Sequence, residues 1–247
     1  MTVSNKIITH FNRSSVSYET VAGIQKKSAL FLVQKLLEVS KGVVPKTILD
    51  LGSGTGYIPE YLVIHYQKSL YTLNDISPKM IEATQVKFGK QDNFKFCIGN
   101  METIACEEYA LIISNLALQW VGDLWETLRK FYQQSTIFAF SSLLEGTFHE
   151  WSSILQGRGH TAVMKKYPTK EELLSFLSQL GAQVLYFSTQ EFRLTFKSAY
   201  CFIQYLKALG AGIGNRRLSF RAIKDLIADN SQELEITYQV FFVILKR

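Results

Sequence analysis

The stretch LDLGSGTGYIP at residues 49–59 sets Gly52, Gly54 and Gly56 at alternate positions directly behind the apolar run TILDL. A short apolar run bounded by glycines reads as a buried strand. Glycine adopts positive φ without penalty, and its bare backbone lets a ligand approach closely. The pattern therefore predicts a strand, a tight loop and a helix beginning at Tyr57. Such a unit belongs to an α/β sheet whose ligands sit at the carboxyl ends of the strands.

The rest of the chain carries the same alternation. Apolar spacing predicts a helix over 18–41, stopped by Gly42 and Pro45. Strands are expected at Thr47–Leu51, Leu70–Leu73, Phe94–Ile98, Tyr109–Ser114 and Thr136–Ser142. Between them fall helices at Tyr57–Tyr66, Met80–Phe88 and Leu124–Tyr132. Ser77-Pro78 is a helix start with Ser as N-cap and Pro at the first helical position. Thr169 with Glu172 forms a capping box opening a helix that Gly181 ends. Strand-like runs follow at 183–188 and 191–196, then helical runs at 198–209 and 219–229 around the loop GAGIGNRR. A closing strand is expected over 235–245. Strand and helix alternate up to residue 142, which predicts a doubly wound, mostly parallel sheet.

Composition narrows the class. The chain has 247 residues, 47% hydrophobic and 19% charged, enough apolar content for one sizeable core. The apolar runs at 110–118 and 240–245 are too short to span a bilayer, and the N-terminus lacks the apolar stretch of a signal peptide. Cys97, Cys106 and Cys201 form no CxxC pair, which suits buried thiols in a reducing cytoplasm. His10, His65, His149 and His160 are scattered without metal-ligand spacing, so no metal is expected. The net charge of +6 favours acidic partners in general.

The loop reads GxGxG, not the GxGxxG of dinucleotide sites, and it lacks the Lys-Ser/Thr ending of a P-loop. Asp50 precedes the first glycine, and Asp75 closes the second strand, where a carboxylate can take both ribose hydroxyls. These parts suit a nucleoside without a pyrophosphate. LDLGSGTG, Asp75 and the Gly99-Asn100-Met101-Glu102 turn resemble the class I S-adenosylmethionine-dependent methyltransferases over about residues 45–145. The resemblance implies a Rossmann-like sheet of seven strands, the last antiparallel, with a small helical lid. It implies S-adenosylmethionine as cofactor, with S-adenosylhomocysteine as product. Asp50, Gly52, Gly54 and Gly56 would lie along its methionine and ribose, and Asp75 on the ribose hydroxyls. Ile76 and Met101 would flank the adenine, with Asn100 at a turn that often carries Asp in that family. Asn115 would reach the cofactor's amino group.

The end of the fourth strand bears on the acceptor. It reads Ser114-Asn115-Leu116-Ala117, without the Asn/Asp-Pro-Pro-aromatic motif of base-amine methylation. No Pro-Cys nucleophile for cytosine C5 is present. Both absences argue against nucleic acid. Several stretches resemble one family, the malonyl-[acyl-carrier-protein] O-methyltransferases of biotin synthesis. They are FNRSS at 11–15 with SYE at 17–19, SNLALQW at 114–120, LKALGA at 206–211 and ITYQVFFV at 236–243.

That resemblance implies methyl transfer to the free carboxylate of malonyl-acyl carrier protein. It also implies one domain over 1–247, with an N-terminal helical segment at 1–44 and a lid at about 197–230. Tyr18, Gln119 and Trp120 become candidates for positioning at the methyl site. Arg13 is a candidate for the acceptor carboxylate, and Arg216 and Arg217 for docking an acidic carrier. Two other readings stay open from sequence: methylation of another small carboxylic acid, and a cofactor-binding assembly factor that transfers no methyl.

Overall fold

The structure is a computed structural model that describes residues 8–9, 11–12, 18–19, 21–105, 107–159, 165–209 and 233–247. Its centre is a seven-stranded sheet. The strands are β1 (Thr47–Leu51), β2 (Leu70–Asp75), β3 (Phe94–Ile98), β4 (Tyr109–Asn115), β5 (Ser135–Leu143), β6 (Gln183–Phe196) and β7 (Leu234–Lys246). Their order across the sheet is β3-β2-β1-β4-β5-β7-β6. The first five are parallel, and β7 runs antiparallel between β5 and β6. The order reverses between β1 and β4, so the crevice of the sheet opens beside the glycine loop.

The helices are α1 (Gly23–Ser40), α2 (Tyr57–Leu62), α3 (Pro78–Phe88), α4 (Leu124–Gln133), α5 (His149–Gly157), α6 (Lys170–Gln179) and α7 (Ala199–Ala208). Residues of α1, α2, α5 and α7 pack on one face of the sheet, and those of α4 and α6 on the other. Strand β7 shows why both faces are covered. Ile236, Tyr238, Val240, Phe242 and Ile244 enter the first cluster, while Phe241, Val243 and Leu245 enter the second. The two-residue period of a strand sends alternate side chains to opposite faces.

Local chemistry sets the helix starts. The Ser77 hydroxyl accepts from the Met80 N–H at 3.3 Å, and Asp123 accepts from the Glu126 N–H at 3.0 Å. At α6 the Thr169 hydroxyl and the Glu172 carboxylate accept from each other's backbone N–H, at 3.0 and 2.8 Å. Each cap satisfies a donor that the first turn leaves without an intrahelical partner.

Three expectations change. The strand-like runs at 183–188 and 191–196 are one fourteen-residue strand, β6, because β7 offers it a continuous partner with a register shift between Val184 and Tyr186. The helix expected over Tyr57–Tyr66 stops at Leu62 and ends in turns. Helix α5 has no start signal in sequence, since Phe148 opens it in a left-handed conformation with no side-chain cap. The helical run expected at 219–229 lies outside the described residues, as does most of the lid beyond α7.

Candidate active site

The glycine loop leaves β1 at the carboxyl edge of the sheet, and its three glycines do different work. All have positive φ: 67° at Gly52, 54° at Gly54 and 90° at Gly56. A Cβ on Gly52 would collide with the Cβ of Ala117, in the turn after β4. A Cβ on Gly56 would meet the Phe88 ring of α3 at 2.8 Å. These two let neighbouring elements close onto the loop. A Cβ on Gly54 would meet nothing nearer than the Tyr18 ring and hydroxyl, both at 3.9 Å. The space in front of Gly54 is a cradle roofed by Tyr18.

Two buried carboxyl groups lie beside that cradle. Asp75 accepts from the Gly54 N–H through Oδ2 at 2.9 Å and from the Ser77 N–H through Oδ1 at 2.8 Å. Burial raises its pKa from 3.8 to about 6, against the pull of the backbone N–H groups. Asp50 is 1% exposed, and neither of its oxygens has a hydrogen-bond partner among the described residues. Burial raises its pKa well above the ordinary value, with the nearby charge of Asp75 adding to it.

Buried acceptors without donors are costly unless a ligand supplies them. These two carboxyl groups fit S-adenosylmethionine, whose ribose diol and ammonium are donors. Asp75 would hold the diol, with Gly54 against the ribose and Asp50 beneath the cofactor's amino-acid part.

The turn after β3 forms the next wall. Asn100 Oδ1 accepts from the Glu102 N–H at 3.0 Å and folds the turn onto itself. The Glu102 carboxylate accepts from the Gly122 and Asp123 N–H groups at 2.9 and 3.1 Å. Lys130 Nζ, on α4, donates to the carbonyls of Met101, Glu102 and Ile104 at 3.1, 3.2 and 2.8 Å. Met101 is thereby held with its Cε 3.4 Å from the position of a Cβ on Gly52. Half-buried Ile76 follows Asp75. Lys130 has no motif of its own, and only its place behind the turn marks it.

Strand β4 ends in strain. Leu116 is a buried leucine with φ of 47°, a conformation worth about 1–3 kcal/mol that surrounding contacts must hold. Its N–H donates to the Ser141 hydroxyl at 3.0 Å. Asn115 Oδ1 accepts from the hydroxyls of Ser28 and Ser141 at 2.7 and 2.8 Å, and its Nδ2 donates to the Gln25 carbonyl at 3.0 Å. The side chain of Asn115 thus ties α1, β4 and β5 together, which leaves its backbone the freer route to a cofactor. Gln119 Nε2 donates to the Leu116 carbonyl at 2.6 Å, while its Oε1 is buried without a partner among the described residues. Trp120 packs edge-on against Phe11, with centroids 5.6 Å apart.

The N-terminal segment lies across this edge. Asn12 accepts from the Ser77 hydroxyl at 2.7 Å, and Phe11 meets Trp120. Tyr18 stacks with Tyr57 at 6.4 Å and stands over Gly54. Glu19 accepts from Tyr57 at 2.8 Å and from Lys87 at 2.9 Å. Tyr18, Asp75, Asn115 and Trp120, distant in sequence, are brought to one edge. Arg13, Arg216 and Arg217 lie outside the described residues. Among the described residues no cluster of potential metal ligands occurs, and no helix is long and apolar enough to cross a membrane.

The strand order and this site define the class I methyltransferase fold. A methyltransferase-domain family matches residues 48–134. Magnesium protoporphyrin IX methyltransferase (ChlM) from Synechocystis PCC 6803, solved with bound SAH, superposes with a TM-score of 0.65 at 11% identity over the full length of both chains. The malonyl-[acyl-carrier protein] O-methyltransferase of Neorickettsia risticii is 26% identical over 246 residues, covering 99% of this chain and 98% of that protein. The Bacillus cereus protein of the same name is 33% identical over 175 residues, 66% of this chain and 65% of that one. The biotin biosynthesis bifunctional protein BioHC of Teredinibacter turnerae is 26% identical over 98% of this chain, which spans 46% of that protein.

Proposed function

We propose that the protein transfers a methyl group from S-adenosylmethionine to the free carboxylate of a malonyl group on acyl carrier protein, an early step of biotin synthesis. The observation that carries this reading is the likeness to the Neorickettsia risticii malonyl-[acyl-carrier protein] O-methyltransferase over essentially the whole of both chains. The cytoplasm belongs to the same reading, as the place where fatty-acid enzymes elongate carrier-bound chains.

S-adenosylmethionine supplies a methyl group already activated on a sulfonium. The protein's part is to bind and align. Asp75 and Gly54 would fix the ribose, Asp50 would face the amino-acid part, and Met101 with Ile76 would enclose the base. The acceptor carboxylate is ionised at neutral pH by its ordinary pKa, so it needs no general base. One of its oxygens forms the bond to the methyl carbon as the carbon–sulfur bond breaks, and the electron pair stays on sulfur as a neutral thioether. No proton moves. Alignment of the three atoms is worth up to about 7–11 kcal/mol in favourable systems. Tyr18, over Gly54, is the residue proposed to shield and orient the reacting groups, with Gln119 and Trp120 proposed as the wall beyond β4. Arg216 and Arg217, in the lid segment, are the residues proposed to meet the acidic carrier.

The reading is tested by complementation. Expressed in a biotin-requiring bacterium that lacks its own malonyl-carrier methyltransferase, the protein is expected to restore growth without biotin. Failure by soluble, cofactor-binding protein would count against the malonyl assignment.

A further inference from the structure

Three tyrosines from distant parts of the chain gather at the edge where the glycine loop opens. Strand β7 runs antiparallel to β5, with Leu143 opposite Val240. Tyr238 therefore lies just beyond the carboxyl end of β5, at the same edge as Gly54 and Asp75. Strand β6 ends there too, with Phe196 opposite Leu234, and α7 follows it directly. The Tyr205 ring of α7 packs on Phe196 at 5.0 Å. Tyr18 hangs over Gly54 from the N-terminal side.

The hydroxyls are arranged in sequence. Tyr238 donates to the Tyr205 oxygen at 3.3 Å. That leaves the Tyr205 O–H to donate onward, and none of its hydrogen bonds among the described residues uses it. Tyr18 likewise has no hydroxyl partner among the described residues, and its hydroxyl and that of Tyr205 lie within electrostatic reach of each other. Burial raises all three phenols, Tyr205 to about 12, so each remains a protonated donor.

We propose that Tyr205, backed by Tyr238 and faced by Tyr18, donates its hydroxyl hydrogen to the acceptor's carboxylate and holds it over the glycine loop. The proposal rests on the carboxylate reading above and names the residue that recognises it. Neutral phenols suit the task. A hydrogen bond from a phenol to a carboxylate is charge-assisted and strong, yet it leaves the second oxygen unengaged for attack. The methyl ester has lost the charge, so the same hydroxyl holds the product less tightly. An uncharged thioester such as acetyl offers nothing for this donor to discriminate.

The test compares wild type, Tyr205→Phe and Tyr238→Phe. Phenylalanine keeps the ring packing and removes only the hydroxyl. Initial rates with malonyl-carrier protein are measured beside calorimetry with S-adenosylhomocysteine, and beside calorimetry of malonyl- and acetyl-carrier protein in its presence. Tyr205→Phe is expected to lower kcat/KM about ten- to hundred-fold, mainly through KM, as befits loss of one hydrogen bond to a charged group. Binding of S-adenosylhomocysteine and of acetyl-carrier protein is expected to stay within twofold. Tyr238→Phe is expected to give a smaller loss, and the double variant about the loss of Tyr205→Phe alone, because Tyr238 acts through Tyr205. Unchanged KM in Tyr205→Phe, or equal weakening of malonyl- and acetyl-carrier binding, would overturn the proposal while leaving the carboxylate reading intact. Wild type that methylates no malonyl-carrier protein would overturn both.

Discussion

The N–H of Gly54 donates to Asp75 Oδ2 at 2.9 Å, joining the loop after β1 to the end of β2 at the point where the ribose would lie. Burial lifts Asp75 from 3.8 to about 6, so the folded chain holds the proton more tightly than the unfolded one. The contribution of Asp75 to stability is then fully present below about pH 4 and is lost as pH rises through 6, on the order of 3 kcal/mol in the cofactor-free protein. Cofactor affinity runs the opposite way, because the ionised carboxylate is the better acceptor for two hydroxyls. Thermal melts from pH 5 to 7.5 are expected to show a falling Tm without cofactor. The rise in Tm on adding S-adenosylhomocysteine is expected to be larger at pH 7.5 than at pH 5.

Alanine substitutions at Gly52 and Gly54, two residues apart, are expected to diverge. Gly52→Ala drives a methyl into Ala117 at positive φ, and is expected to destabilise the fold by about 2–5 kcal/mol through overpacking and backbone strain. Gly54→Ala enters open space beneath Tyr18, and is expected to lose only about 1–2 kcal/mol from its backbone conformation. Its methyl occupies the cradle, so cofactor binding suffers most. Denaturant unfolding and calorimetry with S-adenosylhomocysteine separate the two effects.

Asn115→Ala removes the centre of a network joining Ser28, Ser141 and the Gln25 carbonyl. Buried groups left without partners lose about 1–3 kcal/mol each. The variant is expected to unfold at lower denaturant by about 2–3 kcal/mol, with the loss appearing in cofactor-free protein as well as in the complex. A defect confined to cofactor affinity would contradict the structural role.

Lys130→Met keeps the length of the side chain and removes the ammonium that holds the carbonyls of Met101, Glu102 and Ile104. The turn after β3 is expected to loosen. Affinity for S-adenosylhomocysteine, measured by calorimetry, is expected to fall about five- to tenfold, less than a direct charge-assisted hydrogen bond would give, because Lys130 acts on the cofactor only through the turn. The maximal rate at saturating cofactor is expected to change little.

The first five strands and the glycine loop are legible in the sequence because each rests on a local signal: an apolar run, a positive-φ glycine, a Ser-Pro cap. Helix α5 is not, because it begins at Phe148 without a capping side chain and is held from outside: Glu150 accepts from the Thr237 hydroxyl and N–H, and Trp151 is fully buried. The unity of β6 comes from its pairing with β7, not from its own residues. Asp75 and Gly54 could be anticipated from motif spacing, but the meeting of Tyr18, Tyr205 and Tyr238 could not. It depends on β7 inserting antiparallel between β5 and β6, and its partners on β5 lie more than ninety residues away in sequence. A tyrosine on the inward face at the start of the closing strand is the faint signal that was there.

Methyl transfer itself is the most direct measurement. Purified protein is incubated with methyl-labelled S-adenosylmethionine and either malonyl- or acetyl-carrier protein, and the carriers are followed by mass spectrometry. Carboxyl methylation predicts a gain of one labelled methyl group on the malonyl carrier, removable by mild alkaline hydrolysis, and none on the acetyl carrier. Equal labelling of both carriers, or none on either by protein that binds S-adenosylhomocysteine, would contradict it.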